Sequence, residues 1–382
     1  MASHSSGEEP WRVGILFSQT GATAIIEESQ LKGTLLAIDE INAGGGINDR
    51  ELVPIVYDPQ SDDQRFALLA EKLLIEDGVT TIFGCYRSSS RKAVLPIVER
   101  RNGLLWYPTL YEGFEYSPNI IYTGASPNQN AVVLADYLLR EYGARFYFVG
   151  SNYVYPHESN RIMRNLVQHN GGEVVGERYV DISAGRQQFK PIIHDIKRMQ
   201  PDVVFSTVVG DATVHLYQEF FDAGFDPKIL PIASLTTSEA EVRRMGADVA
   251  EGSLAAAPYF ETVKTACNKA FVSRFKRRFG DEESTNMCLE AAYFQVQLFA
   301  KALADADQMD TDLLRSLVLG SECEAPQGTI KINESCNHTD LFTRVGRVDG
   351  TGRFQIVQES KTAVTADPYL VYYGCGCPAA FH

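Results

Sequence analysis

The sequence predicts an α/β protein made of two doubly wound lobes, each a parallel sheet covered by helices, with a ligand cleft between them. Short apolar segments alternate with helix-period segments over residues 13–257, as in parallel sheets joined by crossover helices. The chain has 382 residues, which is more than a single domain usually contains, since domains typically have about 100–200 residues. The strand, polar loop and helix at 13–43 recur at 145–169, so two similar half-chains are expected.

The individual elements follow from these apolar periods. Strands are expected at 13–17, 52–57, 80–83, 104–107, 120–123, 145–150, 174–179, 203–207, 232–234 and 253–257. Helices are expected between them at 28–43, 65–76, 91–100, 130–142, 159–169, 189–199 and 213–223. The last third is predicted to hold helices at 262–279, 285–304 and 311–318, then short strands at 329–332, 343–348, 352–358 and 370–373.

The predicted division of the chain is discontinuous. We assign 11–123 with 255–330 to lobe 1, and 124–254 with 331–382 to lobe 2. No low-complexity linker separates the two halves. Several chain crossings between the lobes are therefore expected.

Composition excludes several classes of protein. The chain has 35 Lys and Arg against 49 Asp and Glu, a net charge of −14, which disfavours direct nucleic-acid binding through a broad basic face. No run approaches the ~18 apolar residues of a membrane helix. The first residues have neither a basic nor an apolar signal region, and the seven cysteines are odd in number and scattered. Both features favour a cytoplasmic protein without a secretory signal.

Motifs for catalysis are missing from the sequence. It has no nucleophile elbow, phosphate-binding loop, paired-histidine zinc helix or C-x-x-C pair. Cys85 stands between a strand and a helix, but no histidine nearby in sequence would activate it, so a buried structural thiol is expected. Cys375 and Cys377, with His382, are too weak a pattern to predict a metal. We predict no catalytic residue, metal or cofactor; an amidohydrolase using Cys85 or a serine is the enzymatic alternative.

Polar loops follow the predicted strands in both halves, where open α/β sheets place ligand sites. They lie at 84–92, 107–116, 151–156, 206–210 and 235–238. They carry hydroxyls and tyrosines and few charges, which suits a small neutral polar molecule; an amino acid would instead need a fixed cation and anion. Capping and turn formation is the alternative explanation for any one of these loops.

Long strings in these loops carry a family resemblance. They are SSSRKAVLPIV at 88–98, YPTLYEGFEYSPNIIYT at 107–123, SPNQN at 126–130, GSNYVYPHESN at 150–160, PDVVFSTVVG at 201–210 and PIASLTTSEAEV at 231–242. With them the chain resembles the type I periplasmic-binding-protein superfamily, which includes branched-chain amino-acid and urea receptors. Within it, the chain is most similar to the cytoplasmic amide receptors that negatively regulate aliphatic amidase expression. The likeness runs from about 13 to 328.

The resemblance implies a clamshell without catalysis that holds a short-chain amide or urea between its lobes. The residues matched to the family's ligand contacts are Tyr86, Ser88, Tyr107, Thr109 and Tyr153, with Thr207, Val208 and Thr236 on the far wall. Arg87 and Trp106 depart from the family's pattern. The resemblance also implies sequestration of an RNA-binding antiterminator protein, which the amide would release. The alternative is the urea or short-chain amide receptor of an ABC transporter, and a homo-oligomer is left open.

Overall fold

The computed structural model describes residues 9–370. Its strands are β1 (Trp11–Leu16), β2 (Leu52–Tyr57), β3 (Thr81–Gly84), β4 (Leu104–Tyr107), β5 (Ile120–Tyr122), β6 (Arg145–Ser151), β7 (Glu173–Val180), β8 (Val203–Thr207), β9 (Ile232–Ser234), β10 (Leu254–Ala257), β11 (Glu322–Ala325), β12 (Gly328–Ile332), β13 (Thr339–Asp340), β14 (Arg344–Val348) and β15 (Phe354–Glu359). Its helices are α1 (Ala24–Ala43), α2 (Asp63–Ile75), α3 (Ser88–Arg100), α4 (Pro127–Glu141), α5 (Val154–His169), α6 (Arg186–Met199), α7 (Asp211–Asp222), α8 (Glu239–Met245), α9 (Ala247–Ala250), α10 (Ala266–Phe279), α11 (Met287–Ala306) and α12 (Thr311–Val318).

Two large sheets organise these elements. The first has the order β2-β1-β3-β4-β5 and is parallel throughout. The second has the order β15-β14-β10-β9-β8-β6-β7; β6 to β10 run parallel, and β14 and β15 add an antiparallel edge. The order β7-β6-β8-β9-β10 repeats β2-β1-β3-β4-β5. The predicted class, two doubly wound α/β lobes, is confirmed.

A small antiparallel sheet, β11-β12-β13, lies beside the first large sheet. A bridge between Tyr122 and His338 joins the two, because the segment before β13 pairs with β5. Lobe 1 is here the five-stranded and three-stranded sheets with α1–α3 and α10–α12, and lobe 2 is the seven-stranded sheet with α4–α9. The chain passes between the lobes at 123–126, 258–265 and 341–343. The predicted residue boundaries of the two lobes stay a prediction.

The central strands are buried, which explains why their apolar runs could be recognised as strands in the sequence. Every residue of β3, β4 and β8 is buried, as expected of strands covered by helices on both faces. Asp62 accepts a hydrogen bond from the Arg65 N–H at the start of α2, and Asn286 accepts from the first free N–H groups of α11. These caps satisfy backbone donors that have no partner within the helix.

Some elements differ from the predictions. Helices α1 and α3 begin at Ala24 and Ser88, a few residues earlier than expected. The short elements α8, α9, β11 and β13 were not predicted. The strand expected at 370–373 lies, apart from Leu370, outside the described residues. Across residues 9–370, no helix combines the length and apolar character that a membrane crossing needs.

Candidate ligand-binding cleft

The cleft lies where the carboxyl ends of both large parallel sheets face each other. Its lobe 1 wall comes from the loops after β3 and β4, and its lobe 2 wall from the loops after β6, β8 and β9. The structure places every residue predicted for the site in or next to these loops: Tyr86, Ser88, Tyr107, Thr109, Tyr153, Thr207, Val208 and Thr236. All are buried except the half-buried Tyr153. Their contact with a ligand stays a prediction.

The two lobes touch across this cleft, so the structure is a closed form. Tyr86 of lobe 1 belongs to the same buried apolar cluster as Tyr155 and Val208 of lobe 2. Gly210, at the start of α7, approaches the loop before α1 so closely that a Cβ at this position would lie 2.2 Å from the Ala22 carbonyl oxygen. Helices α1 and α8 also pack across the cleft.

The lobe 1 wall is held by hydrogen bonds among its own loops. Cys85 has a φ of 69°, which turns the chain sharply after β3 and leaves its thiol buried. The Tyr107 hydroxyl donates to the Tyr86 carbonyl at 2.8 Å. The Thr109 hydroxyl donates to the Cys85 carbonyl at 3.2 Å and accepts from the Gln30 side chain at 2.9 Å. The Tyr107 and Thr109 hydroxyls therefore use their single protons within the lobe 1 wall and are not available to donate to a ligand.

Behind this wall lies a buried ionic network. The Ser88 hydroxyl donates to Glu112 Oε2 at 2.6 Å. Arg91 Nη2 donates to Glu112 Oε1 at 2.8 Å, and Arg91 Nε donates to Glu115 Oε1 at 2.7 Å. Burial alone would raise the pKa of Glu115, but Arg91 and Lys92 outweigh burial and hold that pKa below its usual value. The two carboxylates are thus balanced by two cations, the buried Arg91 and the more exposed Lys92.

The lobe 2 wall is built in the same way. The Thr207 hydroxyl donates to Asn160 Oδ1 at 2.9 Å, and the Thr236 hydroxyl donates to the Val208 carbonyl at 2.8 Å. These bonds tie the loops after β8 and β9 together. Among residues 9–370, the Tyr153 hydroxyl has no hydrogen-bond partner, so it remains available to a ligand.

Tyrosines carry available hydroxyl donors of the cleft, and one of them, the buried Tyr155 hydroxyl, has no hydrogen-bond partner among residues 9–370. Burial raises the pKa of Tyr86 well above its ordinary value, and the proximity of Tyr153 raises it further. Burial has the same effect on the pKa of Tyr153. Both phenols therefore stay neutral and keep their protons at physiological pH. The Tyr86 hydroxyl, like that of Tyr153, has no hydrogen-bond partner in the described part of the chain.

The cation nearest these tyrosines is already paired. Arg87 Nη2 donates to the Ser61 carbonyl at 2.5 Å and to Asp63 Oδ1 at 2.8 Å. Asp63 thus balances the charge of this guanidinium, although the buried Arg87 Nε–H has no hydrogen-bond partner among residues 9–370. Trp106, the other departure from the family's pattern, packs in the core against Phe83 and Phe299, at ring-centroid distances of 6.0 and 6.3 Å.

Sequence reasoning missed three polar residues of the site: Gln30, Glu112 and Glu241. Gln30 comes from α1, far from the loops in sequence, and no local signal marks it. Glu112 lies within a string already quoted but was given no role. Glu241 was detectable through the capping box that it forms with Ser238. Burial raises the pKa of Glu241 to about 7, and its Oε1 has no partner among the residues that the structure describes.

The cysteines considered as candidate nucleophiles or metal ligands lie partly inside and partly outside the described residues. Cys85 lies fully buried, and burial raises the pKa of its thiol. A thiol kept protonated is a poor nucleophile, so the expected structural role agrees with its surroundings. Cys375 and Cys377 lie outside the described residues. No group of three or more metal-binding side chains occurs within 9–370.

Comparison with known proteins identifies the family. Residues 11–374 match the periplasmic binding protein domain. The leucine-, isoleucine-, valine-, threonine- and alanine-binding protein of Pseudomonas aeruginosa is 24% identical over 338 residues, which cover 87% of this chain and 88% of that protein. A Leu/Ile/Val-binding protein homolog of Brucella suis is 22% identical over 348 residues, 88% of this chain and 87% of that one.

Solved structures of low identity share the fold. The solute binding protein of an ABC transporter from Rhodopseudomonas palustris HaA2, in complex with p-hydroxybenzoic acid, has a TM-score of 0.86 and 20% identity over 95% of this chain and 99% of that one. LivJ of Streptococcus pneumoniae, a branched-chain amino acid transporter substrate binding protein in complex with isoleucine, has a TM-score of 0.81 and 18% identity over 91% of this chain and 99% of that one. The chain belongs to the periplasmic-binding-protein family and has the two-lobed fold of its type I, Leu/Ile/Val-binding-like superfamily.

Proposed function

We propose that this chain is a receptor whose cleft closes on a short-chain aliphatic amide or urea. The observation that carries the proposal is the pairing of Arg87 with Asp63 beside the available hydroxyls of Tyr86 and Tyr153. A closed cleft of this kind solvates a neutral polar group well. It would leave a buried carboxylate without a counter-ion of its own, which is costly.

The relatives support a role in transport for this receptor. Two structural neighbours are named as substrate- or solute-binding proteins of transporters, one curated relative is named for amino acids that it binds, and another is named as a homolog of a Leu/Ile/Val-binding protein. These are binding proteins, so a binding role without turnover also fits this chain. The first candidate function is therefore the substrate-binding receptor of an ABC transporter for urea or short-chain amides.

A panel of small ligands tests the proposal. Acetamide, propionamide and urea are expected to bind, and acetate to bind roughly 100-fold more weakly than acetamide, because its charge would be buried without a free cation. Isothermal titration calorimetry measures all four. A Tyr153→Phe variant, which loses one hydroxyl donor, should bind acetamide about 2- to 10-fold more weakly. Acetate binding as tight as that of acetamide would contradict the proposal.

A second candidate is favoured by the strings at 88–98, 107–123 and 231–242, which resemble AmiC, the amide receptor that regulates amidase expression. In this role the chain would be cytoplasmic and would sequester an RNA-binding antiterminator protein. The net charge of −14 suits a basic partner. Amide binding would release that partner by favouring the closed form.

The regulatory candidate predicts different responses to two amides. Acetamide fits between both walls, so it should compact the receptor and release the antiterminator. Butyramide should compete with acetamide but prop the cleft open, so the partner stays bound. Small-angle scattering and a pull-down with the purified antiterminator measure the two effects. Release without any change in radius of gyration would exclude cleft closure as the signal.

A further inference from the structure

We propose that Glu112, held in place by Arg91, fixes the direction of the Ser88 hydroxyl and thereby selects ligands that carry an N–H group. The inference rests on the proposed function, because it concerns the same cleft. In this scheme Glu112 is a positioning residue, since it acts on the ligand only through Ser88.

The argument begins with the single proton of a serine hydroxyl. A hydroxyl has one hydrogen to donate and two lone pairs that accept. Arg91 donates to both carboxylate oxygens of Glu112, at 2.8 Å to Oε1 and 3.3 Å to Oε2. The carboxylate is thus the acceptor in its 2.6 Å contact with the Ser88 hydroxyl. The only proton of Ser88 is therefore directed at Glu112, and Ser88 can offer the ligand lone pairs only.

Burial makes this direction persistent. Arg91 and Glu112 have side-chain exposures of 0% and 2%, and Ser88 is equally buried. The rings of Tyr107 and Tyr111 cover the guanidinium, with centroids 4.8 and 5.2 Å from its carbon. Reversing the Ser88 hydroxyl would leave Glu112 Oε2 with only its long contact to Arg91. Loss of a hydrogen bond to a buried charge is more costly than loss of a bond between neutral groups.

The cleft therefore has a fixed polarity. Tyr86 and Tyr153 present hydroxyl protons, whereas Ser88 presents an acceptor. A ligand satisfies both only if it has an oxygen acceptor at one end and an N–H donor at the other. Amides and urea have this pattern; ketones, esters and carboxylates of the same size do not, and they would leave the Ser88 lone pairs without a partner. Sites built to hydrogen-bond a substrate group reject the analogue that lacks it.

The test exchanges the carboxylate for its amide isostere, Glu112→Gln. The strongest remaining bond is from Arg91 Nη2, so the glutamine oxygen should take the Oε1 position and its NH₂ group should face Ser88. Ser88 would then accept from Gln and donate to the ligand, which inverts its polarity. The matched control is Glu115→Gln, because Glu115 binds the other edge of Arg91 and does not contact Ser88.

The measured quantity is the ratio of the association constants of acetamide and acetone, which have the same shape but differ in the N–H group. By calorimetry the parent and Glu115→Gln should prefer acetamide about 10- to 100-fold. In Glu112→Gln the ratio should fall to about 1 or below, since acetone gains a donor and acetamide loses an acceptor. A loss of structure would lower both constants together and leave the ratio unchanged.

The outcomes separate this inference from the proposed function. An unchanged ratio in a Glu112→Gln variant that is folded overturns the inference and leaves amide binding intact. If the parent binds neither acetamide nor urea, the proposed function and the inference both fail. Should Glu112→Gln not fold, Ser88→Ala decides: it should weaken acetamide binding and leave acetone binding unchanged. An equal loss for both ligands in that variant would equally overturn the role of Ser88.

Discussion

Replacing Gly210 with alanine is expected to hold the cleft open and to weaken acetamide binding at least about 100-fold. Gly210 has a φ of 66° and lies on lobe 2 against the Ala22 carbonyl of lobe 1, 2.2 Å from where the new Cβ would be. The atom in the way is backbone, which cannot rotate aside as a side chain can. Because the two atoms belong to different lobes, the clash arises only on closure, and ligand binding must overcome it.

The control for this variant is Gly224→Ala. Gly224 also has a left-handed φ, 74°, but an added Cβ there meets no atom within 4 Å. Gly210→Ala should lose more unfolding free energy than Gly224→Ala, because the ψ of −150° at Gly210 lies in a region that essentially only glycine adopts, and only Gly210→Ala should also lose affinity. Calorimetry with acetamide and small-angle scattering with and without it test this. Affinities of the two variants within about 3-fold of each other would show that the contact with Ala22 does not limit closure.

Replacing Glu290 with glutamine is expected to remove a pH dependence of stability. Glu290 is fully buried on α11 and accepts from the Gln327 N–H at 3.2 Å and from its side-chain amide at 2.9 Å. Burial raises its pKa from 4.5 to about 8, despite these bonds and the proximity of Arg344. Between these two values the unfolded chain is ionised at this position while the folded chain keeps the proton.

The direction of the effect follows from this difference. Protonation of Glu290 stabilises the folded state. This contribution to the unfolding free energy is complete below the unfolded pKa of 4.5 and is lost as the pH rises through about 8, the folded pKa. The loss is about 1.4 kcal/mol per pH unit in this range. Glutamine does not ionise, so from pH 6 to 8 the parent should lose on the order of 2 kcal/mol relative to Glu290→Gln.

Urea unfolding at pH 6, 7 and 8 measures this relative loss. Glu28→Gln, at an exposed position of α1, controls for the removal of one negative charge from an acidic protein. The unfolding free energy of Glu28→Gln should depend on pH in the same way as that of the parent. If Glu290→Gln and the parent change stability in parallel between pH 6 and 8, the buried carboxyl is not protonated in the folded state.

Most of the fold could be read from the sequence because the strands are covered on both faces. β4 and β8 are apolar at nearly every position and were located at their observed ends. The missed elements have no such signal. α8 has only seven residues and depends on its Ser238–Glu241 capping box, and β13 is a two-residue pairing with β12. Elements this short are determined by their partners in the fold rather than by periodicity.

The site was predictable in place but not in detail. The polar loops lie at the strand ends, because a parallel sheet brings those ends to one edge. The use of each hydroxyl was not predictable. Thr109 is bound by Gln30 and Thr207 binds Asn160, and these partners come from other helices. Nothing in the sequence spacing indicates that Arg91 pairs with Glu112. Only tertiary structure separates the hydroxyls that support loops from those left free.

The three passages of the chain between the lobes also determine when each lobe can be completed during synthesis. β10 obtains its outer neighbour only when β14 has been made, and β14 in turn obtains β15, which ends at Glu359. Likewise, α1 leaves the ribosome early, but α11, which packs against it, follows only after β6–β10 and α4–α9 of lobe 2. A nascent chain therefore carries an unpaired sheet edge and an uncovered helix until late in translation. The two lobes should reach their final form together rather than one after the other.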